Sequence, residues 1–189
     1  MSYSKKEVLT IPNILSIVRL IMIPIFAVLY IKAETAKEYL VSALVLTASV
    51  LTDMLDGIIA RKCNMVSRLG IMLDPFADKV TQGIVMICLM FKHSEIIPLF
   101  VLFFVKEMFM LVMGCLHLKK KKMLDGALLQ GKICTVVLFA GMIVIMAFNN
   151  LPSEAISAIV AVCSVFMMIS FVSYAVCYFK KSPRIKDIE

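Results

Sequence analysis

Asp53-Met54-Leu55-Asp56-Gly57-Ile58-Ile59-Ala60-Arg61, then eight residues, then Gly70-Ile71-Met72-Leu73-Asp74-Pro75-Phe76-Ala77-Asp78: four carboxylates stand inside or beside two segments otherwise apolar enough to cross a membrane. A charged side chain near the centre of a bilayer costs about 2.5–3.5 kcal/mol on insertion scales, so such a cluster marks a site. The spacings are helical. Asp53 and Asp56 lie i,i+3, roughly 60° apart in projection; Asp74 and Asp78 lie i,i+4, roughly 40° apart. The short link between Arg61 and Gly70 makes the two helices neighbours.

Clustered carboxylates repel one another unless cations lie between them. Oxygen donors alone suit hard divalent ions such as Mg²⁺ or Mn²⁺, and no His or Cys stands at a matching spacing. Two such ions about 3.5–4 Å apart are a standard device of phosphoryl chemistry. Gly57, Ala60 and Gly70 keep the backbone bare beside the acids, where a bulky ligand can approach. The alternative is acids lining a water-filled cavity between helices packed through small residues. It leaves the coincidence of so many fixed positions without a reason.

The surrounding chain has the composition of a membrane protein. Its 189 residues are 61% hydrophobic with a mean hydropathy of +0.96. Six apolar stretches, near 11–31, 39–60, 70–91, 96–118, 126–148 and 154–179, are each long enough to cross about 30 Å of hydrocarbon. The pattern predicts an all-α, polytopic integral membrane protein with six transmembrane helices in one domain over 1–189. Residues 1–10 form a short surface helix or a frayed start, and 180–189 a polar tail.

Lys5 and Lys6, Arg61, Lys62 and Arg68, Lys119 to Lys122, and Lys180, Lys181, Arg184 and Lys186 fall on one side, against only Lys32, Lys37 and Lys92 on the other. That excess makes the first side cytoplasmic, with both termini inside and the acidic pairs near that face. The net charge of +7 is therefore mainly topological, with some attraction for anionic lipid heads. Nucleic-acid binding is excluded by the absence of any aromatic-laced basic patch. The six cysteines are scattered without a C-x-x-C pair and read as reduced apolar residues. Arg19 and Pro24 interrupt the first apolar run, which argues against a cleaved signal peptide. Pro24 should bend the first helix, and Pro75 should free the carbonyl of Ile71. Asn149 to Ser153 is a turn, with Ser153 a candidate cap for the last helix.

Arg19, Lys79, Lys106 and Lys132 also lie inside the apolar stretches, with Asp53, Asp56, Asp74, Asp78 and Glu107. Left unpaired in lipid, these nine groups would cost more than roughly 20 kcal/mol, so most must face a common polar interior. Five acids and four bases nearly cancel. Two divalent ions would leave an excess of about three positive charges, which a pyrophosphate group would balance. Lys79 reads as snorkelling or pairing locally. Arg19, roughly 12 Å into the first helix, needs a carboxylate or ligand partner. Adjacent in sequence, Lys106 and Glu107 should not share a helical face. Lys132, about two turns into its helix, either binds a phosphate or reaches the interface. His93 and His117 read as solvated span ends.

The acidic string resembles the signature of the CDP-alcohol phosphatidyltransferases, integral membrane enzymes of phospholipid head-group synthesis. Asp53, Asp56, Gly57, Ala60, Arg61, Gly70, Asp74 and Asp78 fill every signature position. Upstream, Ile11-Pro12-Asn13-Ile14-Leu15 with Arg19 and Pro24 is similar to the first helix of the phosphatidylglycerophosphate synthase and cardiolipin synthase branch. Downstream, Lys106-Glu107 and Gly131-Lys132-x-x-Thr135 resemble that branch's later motifs.

The resemblance implies transfer of a phosphatidyl group from CDP-diacylglycerol to an alcohol, releasing CMP. It implies two Mg²⁺ or Mn²⁺ ions on Asp53, Asp56, Asp74 and Asp78, with Asp78 also the candidate base for the attacking hydroxyl. The nucleotide site would comprise Asp53, Gly57, Ala60, Arg61 and Gly70, and the acceptor site Arg19, Lys106, Glu107, Lys132 and Thr135. It leaves room for a homodimer among membrane lipids. Glycerol-3-phosphate is the expected acceptor. Met113-Gly114-Cys115, where relatives carry a second arginine, together with Cys134 and Leu138 keeps phosphatidylglycerol, and so a cardiolipin synthase, as the alternative. An ion or proton transporter is a remoter reading, opposed by the lack of an inverted repeat.

The charge bias places Cys63 on the cytoplasmic side. In a variant retaining only that cysteine, a membrane-impermeant thiol reagent should label inside-out vesicles and spare right-side-out ones; the opposite pattern would reverse the orientation.

Overall fold

The computed structural model describes the backbone of residues 11–62, 68–119, 122–124, 128–148, 150–179 and 185–187, with side chains over 21–52, 78–117, 128–148 and 150–179. The surface-helix expectation for 1–10 and the link carrying Cys63 lie outside the described residues. The described chain is α-helical apart from one short ladder. Its long helices are α1 (Ile11–Lys32), α2 (Ala36–Lys62), α3 (Arg68–Met90), α4 (Ile97–Lys119), α5 (Leu129–Ala147) and α6 (Ser153–Phe179). Among the described residues three helices are long and apolar enough to cross a membrane, over Ser94–His117, Leu129–Ala147 and Ser153–Phe179. The chain divides into two compact units. One comprises Met1–Lys92 with Ile143–Asn150; the other comprises His93–Met142 with Leu151–Glu189.

In the first unit, α1 packs against both α2 and α3. The α1–α2 turn is closed by a capping box at Thr35 and Glu38. The Glu38 carboxylate accepts the backbone N–H of Glu34 at 2.8 Å and of Thr35 at 3.1 Å, and the Glu38 N–H reaches Thr35 Oγ1 at 3.4 Å. Those two backbone donors hold the Glu38 carboxyl below its ordinary pKa. Along α2 the buried face runs Tyr39, Ser42, Ala43, Leu46, Ser49; its small residues let α1 approach closely. Ser42 donates to the Glu38 carbonyl at 2.9 Å, so this hydroxyl is satisfied within its own helix. Helix α1 continues through Pro24 and α3 through Pro75.

Lys92, just beyond α3, fastens this end of the unit. Its ammonium donates to the carbonyl of Ala33 at 2.8 Å and to the Tyr39 hydroxyl. It also lies 4.4 Å from the centre of the Tyr39 ring and 5.4 Å from that of Tyr30. The two rings meet edge to face at 5.6 Å. A charge expected merely to mark a loop thus satisfies a carbonyl just beyond α1 and holds three helix ends together.

In the second unit α4 packs against α6. Helix α6 is started by Pro152, whose carbonyl accepts the N–H of Ala155 at 2.9 Å and of Ile156 at 3.2 Å. Ser153 is therefore the first helical residue and not the cap, and its hydroxyl bonds to the Glu95 carboxylate. Part of the polar tail is paired. Strand β1 (Lys122–Leu124) pairs antiparallel with β2 (Ile185–Asp187), with Lys122 opposite Asp187 and Leu124 opposite Ile185. Aside from this ladder, Val101, Phe104, Leu111, Val165, Ile169 and Val172 expose large apolar side chains along α4 and α6, as suits hydrocarbon surroundings.

Losing the Lys92 clasp removes two hydrogen bonds and the contacts with two ring faces from a solvent-accessible ammonium, together about 1–3 kcal/mol. Lys92→Met should therefore lower the unfolding temperature of the detergent-solubilised protein by several degrees, whereas Lys37→Met, at an exposed position, should not. Equal effects of the two substitutions would rule the clasp out as a stabilising element.

Candidate functional site

Helical phase connects the described interior to the acidic positions. On α1 the buried residues Ile23, Phe26 and Tyr30 continue backward at i−4 to Arg19. On α2 the buried Ser42, Leu46 and Ser49 continue forward to positions 53, 56, 57 and 60. On α3 the buried Gln82, Val85 and Leu89 continue back to Asp78 and Asp74. Each helix thus carries its candidate residues on the stripe that it buries elsewhere along its length.

The axial positions also agree. Taking 1.5 Å per residue from the end nearest the 63–67 link, Asp56 and Asp74 stand about 9 Å along their helices. Arg19, Asp53 and Asp78 stand at about 12–15 Å. Because short links make α1, α2 and α3 alternate in direction, these positions share one end of the unit. The side chains of Arg19, Asp53, Asp56, Gly57, Ala60, Arg61, Gly70 and Asp74 lie outside the described residues.

Asp78, half-buried, is the described member of the set and has interaction partners of its own. Among the described residues no group of three His, Cys, Asp or Glu side chains stands ready to hold a metal ion. The donor chemistry at 53, 56, 74 and 78 is carboxylate oxygen throughout, which fits Mg²⁺ or Mn²⁺ and disfavours softer ions. Next on the α3 stripe comes Gln82, which the sequence reading passed over. It is 1% exposed, its carbonyl oxygen accepts from Lys79 Nζ at 3.4 Å, and its amide nitrogen has no partner among the described residues. Lys79 therefore pairs locally. The sequence signal for Gln82 was its i+4 relation to Asp78.

In the second unit, Lys106 is 6% exposed in the apolar α4 and bonds to Glu107 at 2.8 Å. These neighbours do not share a helical face, yet their charged ends meet. Their Cβ atoms diverge by roughly 100°, but the long lysine chain folds back to the adjacent carboxylate. Lys132 lies in the first turn of α5, because the helix begins at Leu129, and its side chain is exposed. Thr135 donates its hydroxyl hydrogen to the Gly131 carbonyl at 3.1 Å, leaving its lone pairs available. Cys134 and Leu138 are buried. His117 is not simply solvated: its Nδ1 lies 2.9 Å from the Met113 carbonyl, and its ring lies 4.9 Å from that of Tyr178.

Tyr174 of α6 is a second residue that sequence reasoning missed. Its hydroxyl accepts the N–H of Leu128 at 3.1 Å, at the foot of α5. A tyrosine within an apolar run carries no positional signal of its own.

Comparison with known proteins gives these positions a context. The family model for CDP-alcohol phosphatidyltransferase matches residues 9–174. A CDP-diacylglycerol–glycerol-3-phosphate 3-phosphatidyltransferase of Aquifex aeolicus is 29% identical over 177 residues, covering 91% of this chain and 97% of that one. The enzyme of the same name from Rickettsia typhi is 41% identical over 85 residues, spanning 44% of this chain and 47% of its own length. Among solved structures, the phosphatidylinositol phosphate synthase of Mycobacterium tuberculosis with CDP-DAG bound superposes with a TM-score of 0.65 at 22% identity, covering 93% of this chain and 89% of that one. The same enzyme in complex with manganese and citrate gives 0.64. At that identity the likeness establishes the fold. Because the family match runs from before α1 to within α6 and takes in Asp53, Asp56, Asp74 and Asp78, this chain belongs to the CDP-alcohol phosphatidyltransferase family.

Proposed function

We propose that this chain transfers the phosphatidyl group of CDP-diacylglycerol to glycerol-3-phosphate, releasing CMP. The observation that supports the reading is that the stripes buried at Ile23, Phe26 and Tyr30, at Ser42, Leu46 and Ser49, and at Gln82, Val85 and Leu89 run in helical phase to positions 19, 53, 56, 74 and 78. The names of the Aquifex and Rickettsia relatives support the acceptor. Asp53, Asp56, Asp74 and Asp78 would hold two divalent ions, which when bound offset the charge of the pyrophosphate. Gly57, Ala60 and Gly70 leave room for the cytidine nucleotide, with Arg61 beside it.

Asp78 takes the proton of the acceptor hydroxyl as that oxygen forms its bond to the phosphatidyl phosphorus, and the phosphorus–oxygen bond to CMP breaks. Lys106 and Lys132 supply positive charge for the acceptor phosphate, with Glu107 orienting Lys106. All six helices span the membrane, both termini face the cytoplasm, and the acidic site opens to cytosolic nucleotide. A second reading, phosphatidylglycerol as acceptor, is favoured by the burial of Cys134 and Leu138, which keeps that face of α5 apolar.

Purified protein in detergent, given CDP-diacylglycerol and each alcohol in turn, should release CMP with glycerol-3-phosphate. Chelation by EDTA should abolish the reaction and Mg²⁺ or Mn²⁺ restore it. Asp56→Asn and Asp74→Asn should lose activity while remaining folded and inserted. Lys132→Met should raise the glycerol-3-phosphate KM at least about tenfold, since each hydrogen bond to a charged phosphate contributes roughly 1.5–3 kcal/mol. Full activity in EDTA would refute the metal-centred site; turnover of phosphatidylglycerol alone would replace the acceptor.

A further inference from the structure

The foot of α5 is built around one side chain from α6. Tyr174 is 6% exposed, and its hydroxyl accepts the Leu128 N–H at 3.1 Å, one residue before α5 begins. Three residues on, Gly131 leaves the room that its ring needs. A Cβ at Gly131 would lie 2.6 Å from the Tyr174 hydroxyl oxygen and 2.9 Å from Cε2, closer than real Cβ atoms come. Gly131 therefore serves close approach: the aromatic ring lies against bare backbone in the first turn. The Gly131 carbonyl then accepts the Thr135 hydroxyl at 3.1 Å, so the same turn ties the residue just before Lys132 to the threonine three residues beyond it.

Tyr174 also belongs to a buried cluster with Leu128, Cys177 and Tyr178, against which Phe109, Met110 and Met113 of α4 pack. Lys106 precedes Met110 by four residues and Phe109 by three, so it stands one turn away on the same face of α4. The two lysines of the acceptor reading thus sit on helices that one buried cluster joins. The cluster packs against the helix bearing Lys106, and within it the Tyr174 hydroxyl holds the first turn of the helix bearing Lys132.

We infer that Tyr174 is a positioning residue of the acceptor subsite, holding the first turn of α5 through Leu128 and Gly131 so that Lys132 stands at a fixed place relative to Lys106. The inference rests on the proposal that Lys132 binds the acceptor phosphate. Tyr174 touches neither substrate in this role, so its loss should appear in acceptor binding and leave the chemical step alone.

The test uses the full chain in detergent with glycerol-3-phosphate and CDP-diacylglycerol. Tyr174→Phe keeps the ring and removes the hydroxyl. It should raise the glycerol-3-phosphate KM about threefold to tenfold, with kcat and the CDP-diacylglycerol KM within about twofold of the parent. Gly131→Ala should raise the same KM. Adding Tyr174→Phe to it should bring the value partly back, because the nearest clashing atom is then gone. An unchanged KM in Tyr174→Phe while Lys132→Met raises it, or multiplied effects in the double variant, would overturn the positioning role and spare the acceptor reading. So would a loss shared by both substrates alongside a lower unfolding temperature. No effect of Lys132→Met would sink the acceptor reading, and this inference with it.

Discussion

An ionisable side chain within an apolar helix must find counter-charge, a polar ligand or water. In the first unit that requirement governs everything else. The stripes that α1, α2 and α3 bury towards the Lys92 end are mostly aromatic and aliphatic, and the same helical phase runs on to positions 19, 53, 56, 74 and 78 towards the other. The unit is thus polarised along its length, with a packed end and a charged end. Ser42, Ala43 and Ser49 permit close helix approach, while Ser42 spends its hydroxyl on its own backbone. The packed end supplies the rigidity that a cluster of like charges cannot supply for itself.

Much of this was legible in the residues because helices impose a fixed phase. The spacings of Asp53 with Asp56 and of Asp74 with Asp78 already placed each pair on one stripe, and the described burial continues those stripes. What stayed hidden were contacts between residues distant in sequence. Lys92 meets Ala33 across 59 positions, and Leu128 meets Tyr174 across 46, and neither pair has a local pattern to betray it. The Lys106–Glu107 contact was missed for the opposite reason. Helical projection describes Cβ directions, and a lysine chain is long enough to disregard them. Lys132 moved because the helix begins at Leu129, and helix starts are read from sequence only to within a few residues.

The two units use aromatic residues in complementary ways. In the first, Tyr30 and Tyr39 present ring faces to the Lys92 ammonium, so π-electrons and a hydroxyl oxygen share one cation. In the second, Tyr174 presents its hydroxyl oxygen to an uncapped backbone donor and its ring to a glycine. Tyrosine can do both in an apolar setting because its polar atom sits at the tip of a large hydrophobic body. The chain has no tryptophan, and among the described residues Tyr30, Tyr39 and Tyr174 carry this duty.

The ladder between β1 and β2 has a consequence in time. Leu124 pairs with Ile185, so β1 leaves the ribosome well before its partner exists, and both α5 and α6 must be made in between. During that interval the segment after α4 has no strand to accept its backbone bonds, and water or lipid head groups must satisfy them. Closure of the ladder then encloses two complete helices in one loop, a long-range contact of the kind that forms slowly and late. Strand β1 therefore reaches its paired form only after α6 and the segment carrying β2 have been synthesised.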